Sequence, residues 1–293
     1  MPLALVSQSP IPEVPAWTVA MDMDFPELHC EFFPPSGFLY INMYSRVRLK
    51  QNGENPVPQP GDFSMSWSIN EAGTKHDVTE PQIVAEGILT QGPAFLNYQG
   101  QGHGVAFVLH PLIAYHFFRE NLDTFTNGHA DLCSLSCPEI KTFRDKLEDG
   151  EILSWEKEPM LGFFRKRISD PSRWKRDPIY YAVNLIIQKR GLIRVKDLAA
   201  EVCLSERSLE RLFLQKVGVS PKTYANIWRF QFALLLLKSK KYPTLEELAF
   251  HAGYYDLPHF LKDFKAKTGD AFDRFLHEIP ALTQLHQQVA RTD

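Results

Sequence analysis

The chain has 293 residues, 44% hydrophobic and 23% charged, with a formal net charge of −3. That is an ordinary globular composition, long enough for two cores, and it sets aside low-complexity and fibrous classes. No apolar run approaches the roughly 20 residues of a membrane span, and four cysteines, at 30, 133, 137 and 203, outline no disulfide framework in so long a chain.

Residues 1–15 are Pro-rich and read as a loose lead-in. The start, Met1-Pro2-Leu3-Ala4-Leu5, lacks a basic segment and an apolar stretch, so a cytoplasmic location is expected. From residue 16 to about 109 the texture is that of short strands and turns. The run 37–49 alternates and is rich in β-formers, 63–69 and 83–89 read as further strands, and Gly100, Gly102 and Gly104 predict a turn before a last strand at 105–109. Such a series suggests a β-sandwich or barrel. Helices then follow at 112–121, 137–147 and 155–168, with a hinge at 169–172.

The last third begins with a helix that Asp177 caps and Pro178 opens, and that Gly191 ends. Apolar positions 195, 198, 199 and 202 then share a helical face, as do 209, 212, 213 and 217, with Cys203-Leu204-Ser205 as a tight turn between them and Ser205 as the cap. Ser220-Pro221 starts a long helix running to about 239, and Thr244 caps the next short one. The pattern then repeats. Leu198-Ala199 and Phe213 recur as Leu248-Ala249 and Phe264, at spacings of 50 and 51 residues, with the extra residue between Gly253 and Phe260. A fixed internal period marks one supersecondary unit used twice. Two short helices across a tight turn form a helix-turn-helix, whose second helix is the one that enters a major groove.

Charge follows the same division. Residues 1–170 carry 12 Lys+Arg against 22 Asp+Glu, whereas 171–280 carry 19 against 12. A basic C-terminal part joined to an acidic N-terminal part fits a nucleic-acid module attached to something else.

Residues 177–276 resemble the DNA-binding domain of AraC/XylS-type transcription regulators. The resemblance rests on Leu198-Ala199, Ser205, Leu209 and Phe213 in the first unit and on Ala249, Gly253-Tyr254, Phe260, Phe264-Lys265 and Gly269 in the second. The chain departs from the family pattern at Cys203, where Gly is usual, at Pro258, at 270–272, where a Ser-Pro pair is usual, and at Phe275. A weaker resemblance in 104–111 implies a cupin-like, jelly-roll N-terminal domain. The expected fold class is therefore α+β: a β-rich sensor and dimerisation domain over 1–169, an all-α double helix-turn-helix domain over 170–280, and a polar tail over 281–293.

The resemblance implies a bacterial-type regulator that is not an enzyme, needs no cofactor and binds promoter duplex DNA. Its further partners would be a small effector, RNA polymerase if it activates, and a second copy through the N-terminal domain. In the first unit the outward Ser205, Glu206, Arg207, Ser208, Glu210, Arg211 and Gln215 are the candidate readers. Arg207 and Arg211 stand one turn apart near the helix start, where base edges are reached. The plainer reading of these charges is solvated intrahelical ion pairing. In the second unit the outward set is Leu257, Pro258, His259 and Lys262, with Lys262, Lys265 and Lys267 as phosphate contacts beside Lys222. Phe38, Tyr40, Met43, Trp67 and Phe107 are candidates for an effector pocket, although each is more simply a core aromatic or apolar residue.

Rival readings are weaker. His129, Cys133 and Cys137 are spaced by four, but Gly128 and Pro138 interrupt any helix there, so no metal site is expected. His103, His110 and His116 lack the spacing of a metal-binding cupin, and no cysteine has an activating context. A protein-interaction regulator with weakened DNA binding is the alternative, motivated by the second unit's poor hydrogen-bonding capacity.

Overall fold

The computed structural model describes residues 16–33, 37, 39–46, 63–69, 82–90, 92, 94–132, 138–148, 162, 174–239 and 241–269. The lead-in, Phe38, Cys133, Cys137, the hinge, the tail and all but residue 162 of the expected helix at 155–168 lie outside them.

The N-terminal half is built on an antiparallel sheet around one long strand. Strand β5 (Ala94–Leu109) pairs along its whole length with β1 (Ala16–Phe33). Its other edge is shared end to end by β3 (Phe63–Ile69) and β2 (Leu39–Arg46). Beyond β2 come β4 (Gln82–Glu86) and the short β6 (His129–Asp131). The turn expected at Gly100, Gly102 and Gly104 is not formed: β5 runs straight through. Gly100 pairs with Phe25 and Phe63, Gly102 with Met23 and Arg46, and Gly104 with Met21 and Tyr44. Ladders on both edges hold these glycines extended and override their turn preference. The irregularity falls instead on β1, between Phe25 and His29, around Pro26, which has no N–H to give a ladder.

After β5, His110 and Pro111 open helix α1 (Pro111–Phe118). The helix stops three residues short of its expected end because Arg119 turns left-handed (φ 59°) and its N–H closes on the Tyr115 carbonyl. A 3-10 turn (Leu122–Phe125) follows, then β6 and α2 (Pro138–Glu148).

The C-terminal part is all-helical: α3 (Pro178–Gln188), α4 (Val195–Glu201), α5 (Glu206–Val217), α6 (Pro221–Ser239), α7 (Leu245–His251) and α8 (Leu257–Thr268). Its burial is divided in two. The base of the sheet (Leu39, Ile83, Phe107, Val108), α1, α3, α4, α5 and the first half of α6, through Tyr224, Ile227 and Trp228, share one continuous core. The second half of α6, through Phe230, Ala233 and Leu234, forms a separate core with α7 and α8. No described helix is long and apolar enough to cross a membrane.

His110 sits where the sheet, α1 and α3 meet. Its Nδ1 accepts from the Leu112 N–H at 3.2 Å, which leaves the ring proton on Nε2, without a hydrogen-bond partner among the described residues. The ring is 2% exposed and its centroid lies 4.8 Å from that of Tyr180. Burial pushes the imidazole pKa down to about 3 from 6.5. Below pH 6.5 the unfolded chain therefore takes up a proton that the folded chain refuses, and stability falls with pH at about 1.4 kcal/mol per unit until pH nears 3. Urea unfolding at pH 6.5 and 5.0 is expected to show the wild-type chain losing about 2 kcal/mol more than His110→Asn, whose amide oxygen keeps a cap for α1.

Candidate nucleic-acid interface

The two units match residue for residue. Helices α4 and α7 are each seven residues long and end in the same manner. Leu204 N–H donates to the Ala199 carbonyl at 2.9 Å, and Tyr254 N–H to the Ala249 carbonyl at 2.9 Å. The residue before each of these donors is left-handed: Gly253 at φ 78° in the second unit, and Cys203 at φ 55° in the first. Cys203 thus takes the backbone shape that glycine takes without strain. Helices α5 and α8 each run 12 residues, from a side-chain cap to a left-handed glycine, Gly218 or Gly269. Ser205 caps α5 by accepting from Ser208 N–H at 3.2 Å, and Asp256 caps α8 by accepting from His259 N–H at 2.8 Å. Cap to cap the spacing is 51, whereas the left-handed residues are 50 apart. The inserted residue is therefore Tyr255, and it stands 91% exposed at the turn.

On α5, Leu209, Phe213 and Val217 are buried and Leu212 is half-buried against the same core. Glu206, Arg207, Glu210 and Arg211 are exposed along the opposite side. Among the described residues neither arginine makes a hydrogen bond or an ion pair, so the intrahelical pairing considered from sequence does not form here. Ser208 is held by Ser205, Oγ to Oγ at 2.9 Å. Lys222 is exposed in the first turn of α6, which Ser220 caps through Thr223 N–H at 3.1 Å.

Comparison with known proteins fits this geometry. A family model described as a helix-turn-helix domain matches residues 198–278. Residues 198–278 form an AraC-type helix-turn-helix domain. The uncharacterized HTH-type transcriptional regulator YidL of Escherichia coli (strain K12) is 36% identical over 102 residues, which is 35% of this chain and 33% of that protein. The match thus spans about a third of the relative's length. Two structures of ToxT from Vibrio cholerae resemble the fold over 91% and 90% of this chain and 98% of theirs, with TM-scores of 0.44 and 0.45 at 12% and 13% identity.

The AraC-type domain is gripped from behind by the N-terminal half. Gln215, an expected reader, is half-buried, and its amide donates to the Tyr115 hydroxyl of α1 at 3.3 Å. Thr126 donates its hydroxyl to the Gly218 carbonyl at 2.6 Å. Lys216 pairs with Asp177, whose other oxygen caps α3 through Ile179 N–H at 2.9 Å. In the second unit Gly92 N–H donates to the Ala266 carbonyl at 3.1 Å. These contacts hold the far ends of α5 and α8 and leave the starts of both helices exposed.

The second unit differs from expectation in three places. Leu257 is half-buried against the second core rather than outward. Lys267 is 7% exposed and paired with Asp263, so it is no phosphate contact. Leu261, absent from the expected outward set, is 37% exposed. Pro258 falls in the first turn of α8, where the missing N–H would have had no helical partner. His259, Lys262 and Lys265 are exposed as expected, with the His259 ring against Tyr254 at 5.3 Å. A closed circuit fastens this unit to α6. The Arg229 guanidinium lies 4.5 Å over the Tyr254 ring, and the Tyr254 hydroxyl donates to Asp263 at 2.7 Å. Asp263 pairs with Lys267, which lies 5.5 Å over the Phe230 ring. Burial, then the Asp263 carboxylate, hold the Tyr254 hydroxyl protonated well above the usual tyrosine range.

Of the effector-pocket candidates, Phe107 is 2% exposed in the first core, while Tyr40 and Met43 lie in β2 and Trp67 in β3. Asp256, which the sequence reading missed, was recoverable by aligning the units on their caps rather than on their glycines. Thermal unfolding is expected to show Asp256→Ala destabilising the second unit by about 1 kcal/mol, with Asp256→Asn close to wild type.

Proposed function

We propose that this protein is a sequence-specific, DNA-binding transcription regulator and not an enzyme. In this reading α5 and α8 enter successive major grooves on one face of promoter DNA, about 34 Å apart. The observation that carries it is the pair Arg207 and Arg211, exposed and unpaired among the described residues, near the start of a capped helix, inside a unit that is built twice and fastened to one long helix. Arginine donating two hydrogen bonds to guanine is the commonest specific base contact. Glu210, between them, would accept from a cytosine amine. Lys222, Lys262 and Lys265 would meet phosphates and set register rather than sequence.

The N-terminal half would set the activity of this domain through the contacts of Tyr115, Thr126 and Gly92, in response to a small effector or to pairing with a second copy. RNA polymerase would be the further partner where the protein activates, and the cytoplasm the place of action.

Fluorescence anisotropy with a selected promoter fragment, titrated with salt, tests the reading. Binding is expected to weaken steeply as salt rises. Arg207→Ala and Arg211→Ala should each cost about 1–3 kcal/mol on the selected site and narrow its lead over random duplex. Lys222→Ala should weaken all duplexes alike and reduce the salt slope by about one. A chain that binds no duplex at low salt would instead be a protein-interaction regulator, the reading that exposed Phe250 and Tyr255 favour.

A further inference from the structure

Counting from the caps, Pro258 of α8 takes the place of Arg207 of α5, Leu261 that of Glu210, and Lys262 that of Arg211. The buried positions correspond in the same register: Phe260 with Leu209, and Phe264 with Phe213. The places that Arg207 and Glu210 fill with hydrogen-bonding side chains on α5 are therefore apolar in α8, and Leu261 is 37% exposed there, where burial inside the chain would have been favoured. We propose that the second unit reads thymine methyl groups in the major groove through Leu261, with Pro258 beside it, and so selects T·A pairs by apolar contact. The proposal deepens the reading of the protein as a sequence-specific DNA binder and rests on it.

Three observations favour duplex DNA as what covers this face. Lys262 and Lys265 are exposed on α8 near Leu261 and supply charge for phosphates. Within α8 and its cap both carboxylates have internal partners, Asp256 at the cap and Asp263 with Tyr254 and Lys267. The frame that presents Leu261 is rigid, because the circuit through Arg229, Tyr254 and Asp263 ties α8 to the same helix that carries the first unit. Thymine is the base whose major-groove edge carries a methyl group, and apolar side chains are the natural partners of that group. Pro258 and Leu261 offer no side-chain donor or acceptor to the other bases.

The test replaces thymine by deoxyuridine, one position at a time, in a site selected by the full chain. Uracil keeps the pairing edge and lacks only the methyl. In the half-site whose base preference survives Arg207→Ala, loss of one methyl is expected to weaken wild-type binding about fourfold, the worth of one buried methyl-sized group. Leu261→Ala should bind the thymine site more weakly and no longer distinguish uracil. Leu261→Gln should shift preference from T·A toward a pair it can hydrogen-bond, and it shows that the helix still docks. Equal affinity of the wild-type chain for both duplexes overturns the proposal while leaving DNA binding intact, as does methyl sensitivity that persists in Leu261→Ala. Failure to select any site overturns the proposal together with the function it rests on.

Discussion

Everything in the C-terminal part depends on one helix serving two cores. Helix α6 is 19 residues long, about 28 Å at 1.5 Å per residue. Its first half lends Tyr224, Ile227 and Trp228 to the core shared with the sheet and the first unit, and its second half lends Phe230, Ala233 and Leu234 to the core of the second unit. A helix buried on nearly all sides cannot bend or slide without emptying one core or the other. The separation and relative turn of the two units are thus set by packing.

Close backbone approach tightens the same joint. Gly191 ends the α3 region at φ 75°, and a Cβ there would lie 2.1 Å from the Ala225 carbonyl of α6. Gly253 at φ 78° would place a Cβ 2.1 Å from the Leu192 side chain, so the loop leaving α3 touches the turn of the second unit. Gly191 answers two demands at once, a left-handed turn and a close backbone approach, whereas at Gly253 the left-handed turn is the constraint, since the end of Leu192 can shift. On the other side, the Tyr224 hydroxyl donates to the Gly37 carbonyl at 3.0 Å, and Trp228 packs so near Gly37 that a Cβ would meet its indole nitrogen at 2.5 Å. The N-terminal half is in this way built onto the first unit rather than tethered beside it, and a change at α1 or the 3-10 turn has a direct path to the end of α5.

Two halves of one duplicated pattern have diverged by surface chemistry while keeping their frame. The caps, the left-handed glycines and the buried aromatic or aliphatic positions are retained in both. What changed is the exposed edge, from Arg207 and Glu210 on α5 to Pro258 and Leu261 on α8. Core positions are constrained by volume and by the backbone around them, whereas an exposed edge is constrained only by what it meets.

Much of this was legible in the chain itself. The duplication, the caps at Asp177, Ser205 and Thr244, the long helix after Ser220-Pro221 and the division into an acidic β-rich half and a basic helical one all follow from short-range rules: apolar period, capping chemistry and charge. What only the tertiary structure decided came from contacts between distant segments. Edge ladders on both sides kept Gly100, Gly102 and Gly104 extended, burial against α6 turned Lys267 inward onto Asp263, and the docking of α1 drew Gln215 away from the exposed side of α5. The one-residue insertion was visible as a change of spacing, but that it projects Tyr255 into solvent required the caps of both helices in place. Local sequence determines where a helix starts and stops; which of its faces is covered depends on partners far away along the chain.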